Sequence, residues 1–534
     1  MKHLKTFKNL TEYLTAQTKL DTPCVSLIKN QHKVSFDKQS IIVAKYNVVD
    51  TTTKTRVFGS YFNTSNIQNM SVDGETVSVS STYQFTTPGE HTVELILKSS
   101  VTSFAYLFKD CTALVDVDFS KTNSSKITSL YYAFYGTGIV DVDLNNLDTS
   151  NVTSMERAFF NCASLTSLKI DKWDASKVTT MSCMFYKCLK LKDLKIFKKV
   201  RDLTNLYLTF YQCEALESLD LSSWDVSKVK DLRYTFACDG ETYSKLTNLN
   251  LNGWNTSSVT SLLGTFAGLK SLQELNIKHF NTSNVTSMAS LFDHLNLEKL
   301  DLGGWDVSKV TSMEGMFYEC VNLKEINFSD WDTSSVTNMK MMLHYCSKLT
   351  TFNISHFNTG KVTTFANMFG NPIGTTLPPL GIDNWDMSSA TYIGSMFAGL
   401  NYTNYDFISG WNISKVTNLE GLFQNNRQLT NIDFIKNWDT SGITNMFYLC
   451  PFCTSLTRID LRGCNLSKVT TMQELAKGCT SLNEFYIDSP ITSLTNTNNM
   501  FQNTKTNGNF YGANGVDYSI ITNSLPSGWA VQTL

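Results

Sequence analysis

From residue 99 onward the apolar residues recur with a long period. A phenylalanine or leucine returns at Phe108, Phe134, Phe159, Phe185, Phe210, Phe236, Phe266, Phe292, Phe317, Leu343, Phe369, Phe397, Phe423, Phe447, Leu475 and Phe501. The steps are mostly 25 or 26 residues, with extremes of 24 and 30. This predicts a repeat solenoid of about sixteen coils. Within the units a second pattern, L-x-x-L-x-L, follows the anchor, as in Leu272–Ile277 and Leu297–Leu302. Alternation at its end places two apolar side chains on one face, the mark of a half-buried strand. Between Val310 and Phe317 the apolar spacing is i, i+3, i+6 and i+7, which predicts a short helical or 3₁₀ turn on the opposite wall. One such unit cannot cover its own apolar face, whereas stacked units cover each other. A parallel sheet along one side follows, with turns about 4.8 Å apart.

The flanks have other patterns. Residues 39–98 hold short β-rich runs separated by Asp/Gly/Thr turns, which predicts a small antiparallel β-sandwich capping the solenoid of residues 99–505. Residues 506–534 should close the other end. Residues 1–38 carry one short helical pattern and a hairpin pattern, too little for a core, and read as a docking arm.

The recurrent residues suggest packing rather than chemistry. Trp173, Trp224, Trp254, Trp305, Trp331, Trp385, Trp411 and Trp438 share one phase with Leu147, Phe280, Phe357 and Cys464. That exchange predicts a structural ladder that needs apolar bulk rather than an indole N–H. An Asp or Asn follows each, from Asp148 and Asp306 to Asn465, with Ser or Gly two residues on. This is the chemistry of an Asx turn. Cys111, Cys162, Cys188, Cys213, Cys320, Cys346 and Cys450 lie three residues past the anchor and read as a buried ladder. One ligand type in a column cannot surround zinc tetrahedrally, so no metal and no cofactor are expected. One polar stripe faces outward by strand alternation: Asp220, Asn250, Asn276, Asp301, Asn327, Asn353, Asp433 and Asp460. It is the candidate binding surface for sugar hydroxyls or cations.

Composition narrows the classes. Lys plus Arg number 45 against 47 Asp plus Glu, which gives no field for nucleic acid. No stretch approaches 18 apolar residues, so no membrane span is expected. No Sec signal is apparent, and the 13 cysteines are expected to be free thiols. No nucleophile elbow, phosphate loop or metalloprotease motif occurs, and no enzyme is expected.

The repeat W-[DN]-x-S-x-V-T-x-M-x-x-M-F-x-x-C-x-x-L-x-x-L-x-L, seen in full around Trp305–Cys320, resembles the BspA-like leucine-rich repeat surface proteins. That resemblance covers about 400 residues and implies surface display and adhesion to host proteins or glycans, mucus glycans included. Residues 22–36, TPCVSLIKNQHKVSF, resemble the openings of structural proteins from crAss-like phages of gut Bacteroides. This second resemblance implies a virion protein, a head fibre or tail fibre. It would bind other virion proteins through residues 1–38, assemble as a homo-oligomer and sit on the particle surface. A bacterial cell-surface adhesin and a purely structural capsid decoration are the alternatives.

Overall fold

In the computed structural model the residues described are 40–238 and 244–534. The chain divides into two units, Met1–Gln39 and Ser40–Leu534. The expected arm, its helix and its hairpin lie outside the described residues.

The second unit begins with β1 (Ser40–Val48), whose alternate residues Ile42, Ala44, Tyr46 and Val48 are buried. It is followed by β2 (Thr55–Arg56), β3 (Ile67–Val72), β4 (Glu75–Val77), β5 (Thr82–Tyr83) and β6 (Gly89–Leu97). The first strand of the repeat region, β7 (Leu114–Asp118), joins them. The order in the five-stranded sheet is β4-β3-β6-β1-β7, and β2 and β5 form a separate ribbon. The expected sandwich is therefore one antiparallel sheet with a two-stranded ribbon. Tyr46 reaches that ribbon through a hydroxyl hydrogen bond to the Val57 carbonyl. Because β1 pairs antiparallel with β7, the cap is continuous with the first turn of the solenoid.

The solenoid then runs through about fourteen turns. Fourteen successive parallel bridges link Ser129 to Ser154, and so on to Thr471 and Asn496. The sixteen anchors counted in the sequence include the unit of Phe108, which lies outside this run of bridges and joins it through the amides of Phe104, Tyr106 and Phe108, donating to Ser129, Tyr131 and Ala133. Residues 506–534 continue the parallel stack at its far end. Gly508–Gly512 and Trp529–Thr533 extend a parallel sheet that begins with Arg458–Asp460 and Glu484–Ile487, around a single short helix, α1 (Ser519–Thr522).

The Val310–Phe317 wall is not helical. The N–H groups of Met316, Tyr318 and Cys320 reach back three residues, to Met313, Gly315 and Phe317. Those of Met313, Gly315, Phe317 and Glu319 instead donate to Asn338, Lys340, Met342 and His344 of the next turn. Alternate amides thus serve the stack, and an α-helix, which needs each amide for its own i−4 carbonyl, cannot form. The chain bends by left-handed residues four apart, Gly315 (φ 58°) and Glu319 (φ 54°). Most turns have equivalents, such as Met341 and Tyr345. The three- and four-residue spacing of apolar residues comes from these consecutive tight turns.

The strand wall is less continuous than the turn wall. Its ladders occur in pieces: Asp141–Asp143 with Ser167–Lys169 and Asp193–Lys195, Ser218–Asp220 with Asn248–Asn250, and Lys299–Asp301 with Glu325–Asn327. Pro378 and Pro379 occupy one strand position and lack the N–H a ladder needs. At two others 3₁₀ turns, Asp406–Ile408 and Asp433–Asn437, stand in for strands.

One core runs from Ile42 to Ile521. Its spine is a phenylalanine column in which, for example, Phe134 and Phe159 stack at 5.1 Å and Phe397 and Phe423 at 6.0 Å, both 3° from parallel. Beside it, the thiols of Cys162, Cys188, Cys320 and Cys346 donate to the carbonyls of Phe134, Phe159, Phe292 and Phe317 in the preceding turn, at 3.0–3.1 Å. At residues 447–453 the expected register slips by three. Cys450 stands in the phenylalanine column, and Cys453 is the ladder residue, donating to Phe423. Cys450 and Cys453 also form a C-x-x-C pair, which the ladder reading passes over.

The tryptophan column corrects the expectation that only bulk matters. Every indole N–H donates to a carbonyl at the end of the preceding strand. Trp173 uses Leu144 (2.8 Å), Trp224 uses Phe197 (3.0 Å), Trp254 uses Leu221 (3.0 Å) and Trp305 uses Ile277 (3.3 Å). Trp331 uses Leu302 (3.3 Å), Trp385 uses Ile354 (3.2 Å), Trp411 uses Ile382 (3.0 Å) and Trp438 uses Ile408 (3.0 Å). Where Phe357 replaces Trp, the neighbouring His356 Nε2 meets the equivalent Phe328 carbonyl at 3.1 Å. Phe197 fills the rung between Trp173 and Trp224, stacking on both. The Leu302 carbonyl also accepts the Trp305 backbone N–H, so losing the indole does not leave it unpaired. Trp331→Phe should therefore cost about 1 kcal/mol for the hydrogen bond and more again for the buried ring volume it removes, measured by urea unfolding. His356→Ala should cost about 1 kcal/mol alone, because it removes the same bond one turn later without emptying the core.

The Asx turns form as expected. The Ser308 N–H meets Asp306 Oδ1 at 3.0 Å, and the same bond recurs at Asp148, Asp225, Asp332, Asn358 and Asp439. Hydrogen bonds from the following serine, its side chain first and then its N–H, hold the carboxyls of Asp225, Asp306, Asp332, Asp386 and Asp439 below the usual range. A pKa lowered in the folded state contributes stability that is complete above the unfolded value of about 3.9 and is lost as pH falls through the folded value. Unfolding midpoints should therefore drop as pH is taken from 5 toward 3. Replacing these five aspartates by Asn, which neighbouring turns already use, should flatten that dependence while leaving the fold intact at neutral pH.

Candidate functional site

Strand alternation turns the middle side chain of each x-L-x-L outward, so the polar stripe belongs on the strand wall. The structure divides its eight members. Asp220 and Asn250 lie on the early turns, where their Oδ1 atoms accept the Ser222 and Asn252 N–H groups and close a second Asx turn. Asp433 sits in a 3₁₀ turn instead of a strand, paired with Arg458, and its Oδ1 is buried without a partner. Asp460 is 3% exposed, covered by Arg462 at 2.7 Å. Neither of these two offers an open carboxylate to solvent.

The other four come together. Asn276, Asp301, Asn327 and Asn353 lie on successive turns along adjoining concavities of about 660 and 830 Å³ that share Lys299. The hollow falls where strand pairing lapses: Leu272–Ile277 forms no ladder, and past Glu325–Asn327 only a bridge to Thr351 remains. Half-buried Leu275 and Phe352 give it apolar patches.

The polar side chains are held across turns. Asn327 Nδ2 donates to Asp301 Oδ1 (3.0 Å), Lys278 Nζ to Asp301 Oδ2 (2.6 Å) and Asn276 Nδ2 to Asn252 Oδ1 (3.1 Å). Lys299 pairs with Glu325 and Lys324 with Glu298, both at 2.7 Å. Exposed pairs of this kind contribute little stability, but they fix positions. Positive and negative groups alternate, so the groove has no single-sign field. Its chemistry is that of oriented amides, carboxylates and ammonium groups beside an aromatic ring, which is suited to hydroxyl-rich or peptide ligands.

A non-repeating cluster on the opposite wall escaped the periodic reading. His294 Nδ1 bonds Asp293, and its Nε2 lies 2.9 Å from Glu319 of the next turn. The Asp293 hydrogen bond, followed by the charges of Asp293 and Glu319, raises the His294 pKa. The His294 ring ties two turns together. The signal was present as Asp-His and Tyr-Glu at equivalent positions of adjacent units. Among the described residues no group of three or more His, Cys, Asp or Glu is placed to hold a metal ion, and no helix is long and apolar enough to cross a membrane.

The family model described as "Mycoplasma protein of unknown function, DUF285" matches residues 102–218, 204–325, 287–407 and 391–512. The chain belongs to the DUF285 family. Residues 47–155 of this DUF285 member also match the model described as "BspA type Leucine rich repeat region (6 copies)". No curated protein matches it. Among solved structures it is similar to a leucine-rich repeat protein from Bacteroides ovatus, at 16% identity and a TM-score of 0.30, covering 74% of this chain and 89% of that one. A leucine-rich repeat protein from Eubacterium ventriosum is similar at 17% identity and a TM-score of 0.28, covering 57% and 82%.

The groove makes a direct electrostatic prediction. Asp301 is held below the usual carboxyl range first by the Lys278 hydrogen bond, then by the Gly303 N–H and Asn327. Lys278→Ala should raise the Asp301 pKa without restoring the ordinary value, because the last two donors remain. A carbon-detected NMR titration of the carboxyl would read the shift.

Proposed function

We propose that this chain is an adhesion-type surface protein that takes its ligand in the strand-wall groove. The ligand is a glycan or protein segment of a host-cell surface or of mucus. The observation that carries this reading is the alignment of Asn276, Asp301, Asn327 and Asn353 on successive turns of an open hollow, locked in place by neighbours. Such a row can bond several units of one extended ligand at once, and its balanced charges favour neutral or zwitterionic chains over polyanions. Replacing all four by Ala should weaken binding to mucin or to a glycan array at least tenfold in a variant that still unfolds cooperatively, with a midpoint lowered by the lost Asx-turn bonds. Undiminished binding by that variant would remove the groove from the account.

The finer reading places the protein on a virion as a head fibre or tail fibre, anchored through residues 1–38. It is supported by the resemblance of residues 22–36 to phage structural proteins. Deleting residues 1–38 would then give a protein that is made but missing from purified particles. Recovery of the intact protein from bacterial envelopes instead would identify a cell-surface adhesin. Particles that lose stability but not adsorption would identify a capsid decoration.

A further inference from the structure

The residues that recur in every turn hold the solenoid together, so recognition is sought where outward residues differ from turn to turn. One such region stands out on the turn wall, away from the groove. Its outward positions carry Tyr106, Tyr131, Tyr132, Tyr135, Phe160, Tyr186, Tyr207, Tyr211 and Tyr234, all half-buried, on six consecutive turns. The cap contributes Tyr61, 72% exposed, 5.4 Å from Tyr106. Tyr135, Phe160, Tyr186 and Tyr211 form one stacked file, with centroids 4.8, 4.3 and 4.9 Å apart and planes within 11°.

The coil does not require this file. The buried indole and phenylalanine columns recur along the stack, whereas the outer file stops at Ala237, Ala267 and Asp293 in the same phase. Tyr318 and His344 form a separate stacked pair further on. Cations stand over the ring faces: Lys109 lies 4.9 Å from Tyr135, Arg157 5.3 Å from Tyr132 and Arg233 4.8 Å from Tyr207. Each of these three has its own acid, in Asp110, Glu156 and Asp231. Lys187, 5.6 Å from Tyr186, has no acid paired with it among the described residues, so the strip is aromatic with one uncompensated cation.

Its dimensions select the occupant. Six turns at about 4.8 Å make a strip roughly 30 Å long. At one or two rings wide it covers on the order of 300 Å², well below the ~800 Å² per partner of a stable protein interface. A globular partner is thus disfavoured and a linear polymer fits. An extended peptide advances ~3.3 Å per residue and a polyproline helix ~3.1 Å, so both fall out of step with the rings. The faces within the file are closed by stacking, so a pyranose unit, about as long as one turn's rise, meets one ring edge per unit with its hydroxyls toward the tyrosine rim. Three paired cations and the single unpaired Lys187 make no extended positive field for an acidic polymer.

We propose that the turn-wall strip from Tyr61 to Tyr234 binds an uncharged linear polysaccharide laid along the solenoid axis, one sugar per turn. The proposal does not depend on the strand-wall groove. The test uses the whole chain in affinity electrophoresis against mannan, xylan, dextran and β-glucan, with hyaluronan and heparin as charged probes. It is followed by titration with neutral oligosaccharides of two to eight units. Retardation by at least one neutral polymer is expected, with affinity rising to about six units and then levelling. Phe160→Ala/Tyr186→Ala/Tyr211→Ala should lose tenfold or more, and the four-alanine groove variant should not. Because the triple variant removes packing, Tyr186→Lys, which keeps bulk but adds an unpaired charge to the file, should also lose binding with its unfolding midpoint preserved. No retardation by any neutral polymer, binding only to the charged probes, capture of a protein in place of the polymers, or equal affinity in both strip variants would overturn the proposal.

Discussion

Each turn of this protein must complete the hydrogen bonding of the turn before it. A solenoid interior is dry, and its backbone carbonyls cannot be left without donors. Along the turn wall alternate amides meet the next turn directly. Elsewhere side chains supply the donors, each aimed at a carbonyl one turn back: indoles on the strand ends, thiols on the phenylalanine carbonyls, the Thr235 and Thr265 hydroxyls on Leu206 and Leu232. Which residues can exchange follows from this. Asn426 replaces Cys because its amide reaches the same kind of carbonyl, that of Phe397. His with Phe replaces Trp because the ring nitrogen takes over the indole's bond.

The same constraint leaves the outer surface free. Inward positions are claimed by packing and by carbonyls, so variation concentrates outside. On the strand wall the ladder lapses at Leu272–Ile277 and beyond Asn327, and the groove opens there with fixed polar side chains. On the turn wall six turns carry aromatic rings at outward positions, and three of these, Tyr106, Tyr132 and Tyr234, are themselves left-handed residues. The two surfaces lie on different walls and differ in character, one lined by amides and the other by aromatic rings.

The legible parts of the sequence were those that one turn can express alone. Asp306 and Ser308 form their turn within three residues, so the Asx chemistry was readable in any single unit. The burial of Trp305 and Cys320 followed from exchange among apolar residues. Their polar bonds did not, since the acceptors lie some 28 residues away. The turn wall was misread as helical because successive tight turns and a helix share a three-to-four residue spacing, and only the destination of each amide distinguishes them. At Phe447 the anchor looked regular, but Cys450 fills the column, because a small thiol can stand where stacking is already broken by the next turn's Ala476.

The sequence by itself determined a stacked repeat, its period, its turn chemistry and its inward and outward faces. All of these are local, because the coil repeats the same short-range preferences. Tertiary structure decided how many turns close, that the first strand of the stack turns antiparallel into the cap, and which four of eight stripe residues share a groove. It also gathered tyrosines from six turns and the cap into one strip. Those outcomes depend on register between turns, which is set by hydrogen bonds across about 25 residues and has no signature within any one of them.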